Sequence, residues 1–119
     1  MSSYEKYLKE IKTEHLNWGP CHSEKFWKVH VKKFEENDFN LIGQLVRLLD
    51  SSDEKTKAVA CYDLGEFCRF HPFARQVLDK AGGKSKLMSM IKSDSNMVRE
   101  QALLSTQKMM IHNWQNLKI

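Results

Sequence analysis

The sequence contains few residues that interrupt helices. Its 119 residues include only two prolines and five glycines, and runs of β-branched residues in strict alternation are absent. Proline and glycine are the strongest breakers of regular structure, and alternation is the pattern of half-buried strands. This composition argues against a strand-rich fold. The apolar residues recur at helical spacing, so we predict an all-α fold.

Long apolar segments are also lacking. The longest apolar stretch, residues 39–49, is interrupted by Asn40, Gly43, Gln44 and Arg47, whereas a membrane-spanning helix needs roughly 20 apolar residues. The first residues, MSSYEKYLKEI, do not contain the apolar core of a secretory signal. We therefore expect a chain that is cytosolic or excised from a longer protein, with no segment inserted into a membrane.

The spacing of the three cysteines and five histidines does not match that of metal sites. Cys21 and His22 stand alone, and the seven-residue separation of Cys61 and Cys68 is not a C-x-x-C pair. The cysteines are odd in number, and two of them fall on one predicted helix face, which is typical of reduced thiols in a core. We predict no metal ion and no cofactor.

Nothing in the sequence predicts a catalytic site. Cys68 and His71 could form a nucleophile pair, but they lie three residues apart at a predicted helix end without an orienting acid, so packing and capping are the favoured roles. No G-x-x-x-x-G-K-[ST] phosphate loop occurs. Gly82-Gly83-Lys84-Ser85 resembles only its end, and these glycines are expected to terminate a helix. We predict that the chain is not an enzyme.

Charge is distributed unevenly along the chain. Residues 1–60 carry 10 basic and 10 acidic side chains, whereas residues 61–119 carry 9 and 5, so the net charge of +4 arises in the second half. The densest part contains Lys80, Lys84, Lys86 and Lys92. This cluster suggests an acidic protein surface as partner, although it can also be an ordinary solvated face.

The three tryptophans leave nucleic-acid binding open as an alternative, because indole rings can stack on bases. Trp27 lies on an apolar stripe with Val31 and Phe34, and Trp18 and Trp114 fall at predicted helix ends, where an aromatic ring often seals a core. The core roles are favoured. We predict no nucleic-acid partner.

The periodicity divides the chain into about seven helices. The first covers residues of about 4 to 16 and belongs to an N-terminal segment of residues 1–17. Ser23 is predicted to cap the second helix, which ends at Asn37-Asp38. The third, around Phe39 to Leu49, is apolar around most of its circumference and is expected to lie centrally.

The remaining helices are delimited by their caps. A fourth begins at the S-x-x-E capping box of Ser51 to Glu54. Pro72 suits the first turn of a short fifth helix, which Gly82-Gly83 ends. A sixth precedes Ser93-Asp94-Ser95, which caps the seventh. The predicted inward side chains of the seventh are Val98, Ala102, Leu103, Met109 and Met110.

Two segments resemble each other at an offset of 42 residues. LVRLLDSSDEKTKAVACYDLGEF, from Leu45, aligns without a gap with LMSMIKSDSNMVREQALLSTQKM, from Leu87, and the offset places Ala60 on Ala102. A period of about 40 to 47 residues with two or three helices is the signature of HEAT and armadillo repeats. We predict an α–α superhelix of this type, with residues 1–119 forming a single domain.

One motif resembles a known family. Residues 18–27 read WGPCHSEKFW, which resembles the W-S-P-x-H-x-S-E-K-F-W signature in the C-terminal domain of the regulatory H subunit of vacuolar-type proton-pumping ATPases (V-ATPases). Further matches run through residues 59–66, 77–84 and 102–114, so the resemblance covers nearly the whole chain. The departures are small: Gly19 replaces a serine, and the spacing before Ser23 is one residue shorter.

The resemblance implies a non-catalytic domain whose partners are other subunits of the proton pump. In the family, the H subunit contains a larger N-terminal domain and bridges the cytosolic ATPase sector, with its stalks and rotor, and the membrane sector. Its C-terminal domain is associated with coupling ATP hydrolysis to proton transport and with inhibiting hydrolysis by the free sector. The implied location is cytoplasmic, peripheral on the cytosolic face of vacuolar and other endomembranes. The alternative is a generic armadillo-like adaptor that binds acidic protein segments.

Two exposed surfaces are predicted to contact these partners, because loops between helices and basic faces are common interaction sites. The predicted loop consists of Ser51, Ser52, Asp53, Glu54 and Lys55. The predicted basic face consists of Arg75, Lys80, Lys84 and Lys86.

Overall fold

The computed structural model describes the backbone of residues 1–117 and the side chains of residues 1–111. This part of the chain contains seven α-helices and two 3₁₀ helices and no β-strand, so the predicted all-α fold is confirmed. The α-helices are α1 (Ser3–Thr13), α2 (Glu24–His30), α3 (Glu36–Leu48), α4 (Glu54–Phe70), α5 (Ala74–Ala81), α6 (Gly83–Ser89) and α7 (Asn96–Leu117). The 3₁₀ helices Val31–Glu35 and Met90–Lys92 continue α2 and α6.

Serine side chains cap the first two helices. Ser2 Oγ accepts a hydrogen bond from the Glu5 N–H at 3.1 Å. Ser23 Oγ accepts one from the Phe26 N–H at 3.2 Å, so the predicted cap of α2 is confirmed. Each bond satisfies an N–H that has no partner within the helix. α1 ends at Thr13, earlier than predicted, because Glu14 adopts a left-handed conformation with φ of 61°.

The sequence predicts that the second helix ends at Asn37 and Asp38, and in the structure these residues lie within α3, just after the 3₁₀ extension of α2 ends at Glu35. Asn37, Asp38 and Phe39 have φ angles of 54°, 56° and 59°. Asparagine and aspartate tolerate this left-handed region better than most residues do. The regular part of α3 therefore begins after Phe39, and its apolar side chains Ile42 and Leu45 are fully buried.

The internal repeat is reproduced in the hydrogen bonds that start α4 and α7. Asp53 Oδ2 accepts from the Thr56 N–H at 3.1 Å, and 42 residues later Ser95 Oγ accepts from the Val98 N–H at 3.3 Å. The two helices also begin 42 residues apart, at Glu54 and Asn96. Equivalent segments therefore adopt equivalent structures, as in an α–α superhelix of helical repeats.

The predicted capping box at Ser51 is wrong in its cap residue. The N-cap of α4 is Asp53, and Ser51 Oγ instead accepts from the Asp53 N–H at 3.1 Å, outside the helix. Ser93 does the same for the N–H of Ser95. Serine and aspartate can both cap a helix. Here the Asp53 carboxylate accepts from the N–H of Thr56, three residues later, whereas the Ser51 hydroxyl accepts from the N–H of Asp53.

α4 lies against α7 with little space between their backbones. A Cβ added at Gly65 would stand 2.9 Å from the Cα of Ser105, so glycine is required there by close packing. The Ser105 hydroxyl donates to the Cys61 carbonyl oxygen across this contact. Ala60 and Ala102, which the repeat makes equivalent, are both fully buried.

Two side chains predicted to face inward on α7 do not. Leu103 is 44% exposed and Met110 is 63% exposed. The buried side of α7 is formed by Val98, Ala102, Ser105, Thr106 and Met109. The small and hydroxyl-bearing residues on this side let α7 approach α4 closely. The prediction based on apolar character places the larger side chains of Leu103 and Met110 inward instead.

The glycine pair after α5 has two separate roles. Gly82 ends the helix with φ of 77°, which confirms the predicted left-handed cap. Gly83 is the first residue of α6, and a Cβ there would lie 3.0 Å from Val46 Cγ2. Pro72 stands in the turn before α5 and not in its first turn, because α5 begins at Ala74.

The core between α1, α2 and α4 is rich in aromatic rings. Trp27 stacks on Phe34 with ring centroids 4.3 Å apart, and Tyr7 stacks on Phe26 at 5.0 Å. The core role predicted for Trp27 is confirmed. Trp18 is 42% exposed and contacts the edge of the Tyr62 ring, so the core role predicted for it is wrong. The Trp114 side chain lies outside the described residues.

Candidate protein-interaction surfaces

The predicted loop contains two kinds of residue. Ser52, Glu54 and Lys55 are exposed, whereas Ser51 and Asp53 are half-buried and serve the α4 cap. The predicted loop is wrong at its end, because Glu54 and Lys55 already form the first turn of α4. Hydrogen bonds from Thr56 lower the pKa of Asp53, so this capping group is ionised. Only the exposed three are free to contact a partner without loss of the helix start.

The predicted basic face is spread over two helices. Arg75 and Lys80 lie exposed at the beginning and end of α5, and Lys84 and Lys86 lie partly exposed on α6. Lys80 Nζ is 3.9 Å from Asp38 Oδ2, and both side chains are more than four-fifths exposed. Such a pair contributes little free energy to folding.

One ion pair joins the loop to the basic face. Lys86 Nζ donates to Asp50 Oδ2 at 2.5 Å, and Asp50 directly precedes the loop. The structure therefore brings Lys86 to the edge of the loop. Arg75, Lys80 and Lys84 make no hydrogen bond or ion pair with the loop in the part of the chain that the structure describes.

A groove that the sequence did not predict lies between α3 and α5. It encloses about 510 Å³, with Phe39, Gly43 and Val77 along its walls and Arg47 and Lys80 among its polar residues. The left-handed turn at residues 37–39 forms one end of it. The Asn37-Asp38 dipeptide was a signal for the turn, but the facing helix could be known only from the tertiary structure.

The WGPCHSEKFW motif builds a buried polar network around one carboxylate. Asp63, on α4, is fully buried. Its Oδ2 accepts from Tyr7 Oη at 2.9 Å and lies 2.7 Å from His22 Nδ1, while its Oδ1 accepts from Trp27 Nε1 at 3.1 Å. His22 Nε2 lies 2.8 Å from Glu10 Oε1. α1, α2 and the segment between them are therefore fixed to α4 through one side chain.

The protonation of this network follows from its geometry. Both ring nitrogens of His22 face carboxylate oxygens, so both act as donors when the ring is an imidazolium. Burial alone would lower the pKa of His22, but the hydrogen bonds and charges of Asp63 and Glu10 outweigh it and raise that pKa. Burial raises the pKa of Asp63, against the opposing effect of its three donors.

A second carboxylate connects α4 to α7 and α2. Glu66 is buried, and its Oε1 lies 2.9 Å from Lys108 Nζ and 3.1 Å from an Arg69 guanidinium nitrogen. Arg69 also lies 3.3 Å from Glu24 on α2. A buried carboxylate is stable in a core only when cations compensate it, and here the two cations come from different helices.

Cys68 and His71, the candidate nucleophile pair, and Cys61 of α4 are held in the core by burial and hydrogen bonds. Burial raises the pKa of the Cys61 and Cys68 thiols to about 12, so neither is a thiolate near neutral pH. His71 Nδ1 accepts from the Phe73 N–H, and its Nε2 donates to Glu35 at 2.7 Å. Both ring nitrogens are thereby engaged, which supports the capping role for His71.

The described residues contain no candidate for a membrane span or a metal site. None of their helices combines the length and apolar character needed to cross a membrane. No group of three or more histidine, cysteine, aspartate or glutamate side chains in that part of the chain is arranged to hold a metal ion.

Comparison with known proteins identifies the family. The sequence model of the family described as the V-ATPase H subunit matches residues 1–114. This chain belongs to the V-ATPase H-subunit family. The match spans every element that builds the polar network and both predicted surfaces.

Named relatives agree with this assignment. The chain is 39% identical over 119 residues to the V-type proton ATPase H subunit of Drosophila melanogaster, and the alignment covers 98% of this chain and 25% of that protein. It is 39% identical to the second probable V-type proton ATPase H subunit of Caenorhabditis elegans, with the same coverage. The Dictyostelium discoideum H subunit is 38% identical over 120 residues, with 98% and 27% covered. The chain thus spans about a quarter of the length of the H subunits it matches.

Proposed function

We propose that this chain is a non-catalytic regulatory domain of a V-type proton ATPase. In this role it bridges the cytosolic ATPase sector and the membrane sector, couples ATP hydrolysis to proton transport, and inhibits hydrolysis by the free sector. Membership of the H-subunit family is the observation that carries the proposal. The domain resides on the cytosolic face of the membrane, held there by the other pump subunits.

The mechanism that we propose is mechanical. A rotary enzyme stops when a rigid body connects its rotating and stationary parts. Two buried carboxylates, Asp63 and Glu66, connect four segments of this chain through hydrogen bonds and ion pairs. Such a cross-linked helical solenoid resists bending, which supports its use as a bridge.

We propose that the contacts use the loop and the basic face. Ser52 and the first-turn residues Glu54 and Lys55 of α4 are the exposed part of the predicted loop segment, and Lys86 lies beside it through Asp50. The basic residues suit an acidic surface on another component of the pump. Ser51 and Asp53 act by fixing the loop, through the N-cap of α4.

The test is inhibition of ATP hydrolysis. The Drosophila melanogaster ATPase sector is purified without its H subunit, and a chimera in which this chain replaces the matching quarter of that subunit is added. We expect hydrolysis to fall as it does with the unaltered Drosophila protein. This chain is also added alone, since linkage to the rest of the subunit raises its effective concentration at the site. If the unaltered protein inhibits and the chimera does not, the proposed function is rejected.

The loop is tested without damage to the fold. The triple variant Ser52→Gly, Glu54→Gln and Lys55→Gln keeps Ser51 and Asp53, and therefore keeps the cap of α4. We expect this chimera to inhibit less while it unfolds at the same temperature. Full inhibition by the triple variant would show that the loop is not a contact.

The basic face is tested by the salt dependence of binding. The double variant Arg75→Glu and Lys84→Glu should slow association of the chimera with the ATPase sector, and more so at low than at high ionic strength, because salt screens the electrostatic attraction. The control is the double variant Lys28→Glu and Lys32→Glu. It makes the same change in net charge outside the basic face, at exposed positions of α2 and its 3₁₀ extension. Equal slowing by the two pairs would assign the effect to net charge and not to the basic face.

The alternative function, an adaptor for acidic protein segments, is supported by the groove between α3 and α5. Arg47 and Lys80 lie among its lining residues, beside the side-chain amides of Gln44 and Gln76. Amides donate to and accept from a peptide backbone, and the two cations suit acidic side chains. Binding of acidic peptides that is lost in Arg47→Glu, together with no effect of the chimera on hydrolysis, would favour the adaptor.

A further inference from the structure

One side of α7 carries apolar side chains that are not buried in the core, and the 42-residue repeat indicates what this side can bind. Met97, Leu104 and Ile111 are spaced seven residues apart on α7, and Leu103 and Met110 lie beside them with the same spacing. All five side chains are between 41% and 63% exposed. We call these five residues, with Glu100 and Gln107 between them, the outer α7 face.

The outer α7 face corresponds to a face of α4 that is covered by a helix. On α4, the Cys61 carbonyl accepts from Ser105, the Tyr62 ring lies 4.7 Å from Lys108 Nζ, and Gly65 closely approaches Ser105. These contacts define the side of α4 on which α7 packs.

The residues 42 positions later on α7 are Leu103, Leu104 and Gln107. They take the places of Cys61, Tyr62 and Gly65 in the repeat. In a stacked solenoid, each repeat buries this face on the next helix of the same kind. Leu103 and Leu104 therefore stand where a helix packs in the preceding repeat, and both are apolar.

The size of the face fits one helix and not a second copy of the chain. Five side chains exposed by about half present on the order of 400 Å² together, whereas a stable dimer buries about 800 Å² on each partner. Two copies would also bring together two chains that each carry a net charge of +4. Gln107 in place of glycine sets the partner helix farther away than α7 is from α4.

The charged residues of α7 indicate which charge a partner helix should carry. Within residues 97–111 the charged side chains are Arg99, Glu100 and Lys108. Lys108 pairs with Glu66 on the inner side, and Arg99 donates to the Ser93 carbonyl oxygen at the start of the helix. Glu100 is thus the acidic side chain within the outer α7 face, and it pairs with no cation in the part of the chain whose side chains are described.

We propose that the outer α7 face binds a single amphipathic helix of a partner protein. That helix carries apolar residues at i, i+3 or i+4, and i+7, with a lysine or arginine that faces Glu100. This is helix-in-groove recognition, in which apolar anchors give affinity and the charge fixes the register. The site is separate from the loop and the basic face.

The experiment uses two synthetic probes. Both are 18-residue helical peptides with leucine at the anchor positions, and they differ only in one residue, lysine in the Lys probe and glutamate in the Glu probe. Fluorescence anisotropy measures their binding to the complete chain. We expect the Lys probe to bind about tenfold more tightly than the Glu probe, and Glu100→Lys to reverse that order.

Matched variants locate the site. Leu104→Glu should weaken binding of the Lys probe by about tenfold or more, because a carboxylate replaces the central apolar anchor. Val29→Glu makes the same change at an exposed apolar residue of α2 and should leave binding unchanged. Thermal unfolding checks that each variant is folded, which is expected because both positions are exposed.

Three results would overturn the proposal. The first is an unchanged probe preference in Glu100→Lys, and the second is equal weakening by Leu104→Glu and Val29→Glu. The third is a wild-type dimer in sedimentation that Leu104→Glu converts to monomer, since the occupant is then a second copy. Reversal of the preference with a monomeric wild type supports it.

Discussion

His22 and Asp63 are joined inside the core by a contact of 2.7 Å between Nδ1 and Oδ2, although 41 residues separate them in the sequence. Asp63 also holds Tyr7 and Trp27. A buried carboxylate with three donors is stable only while all of them are present, because each unpaired polar group in a core is costly. The network therefore links the N-terminal helices to the repeats.

Replacement of Asp63 by asparagine should destabilise the fold by about 3 kcal/mol or more, because it removes the charge that compensates His22 and sets amide N–H donors against side chains that themselves donate to Asp63. Urea unfolding followed by circular dichroism measures the change. Asp79→Asn, at an exposed position on α5, should change the unfolding free energy by less than about 0.5 kcal/mol. Similar midpoints for the two variants would contradict the role of Asp63.

The unfolding free energy should fall as pH rises above about 6.5, the ordinary pKa of histidine. Because Asp63 and Glu10 raise the pKa of His22 in spite of burial, the folded state keeps a proton that the unfolded state has released. This stabilisation is fully present below the unfolded pKa and is lost as pH rises through the folded one. The slope for one proton is at most about 1.4 kcal/mol per pH unit.

The wild type is compared with His22→Gln between about pH 6 and pH 9, a range that begins near the unfolded pKa. The difference in unfolding free energy between the two proteins should decrease with pH, since glutamine does not titrate. A constant difference would show that His22 is not protonated in the folded core.

Gly65→Ala should be destabilising by about 1 to 3 kcal/mol although alanine favours helices, because its Cβ would stand 2.9 Å from the Cα of Ser105. Gly43, on α3, has no atom within 4 Å of such a Cβ. Gly43→Ala should therefore stabilise by about 0.5 to 1 kcal/mol through helix propensity alone. Thermal unfolding should move in opposite directions, and a stabilised Gly65→Ala would contradict the close α4–α7 contact.

Ala60→Leu and Ala102→Leu should each cost about 1 to 3 kcal/mol through overpacking, because both positions are fully buried. Ala81→Leu places the same side chain at an exposed position of α5 and should be nearly neutral. Denaturation midpoints are measured for all three. If Ala102→Leu alone matched the control, the two alanines would not be equivalent in the repeat.

Several features of the candidate site were predictable only in part. Asp63 is three residues after Ala60 and four before Phe67, so it falls on the predicted inner side of its helix, and a charge in that position was a usable signal. The partners Tyr7 and His22 were not predictable, because they come from other helices. Likewise, the sequence predicted an exposed segment at residues 51–55, but only the structure separates Asp53, which caps α4, from its exposed neighbours.

The helical class, most helix ends and the 42-residue repeat can be read from the sequence alone, because they depend on local interactions: spacing of apolar residues, caps such as Ser23, and the left-handed turn at Gly82. Which side of α7 is buried depends on its packing against α4. The spacing of apolar residues identifies the buried side of a helix only when the other side is polar. Both sides of α7 carry apolar residues, so the spacing does not identify its buried side. Close packing at Gly65 selected the side with Ser105, and it left Leu103 and Leu104 exposed.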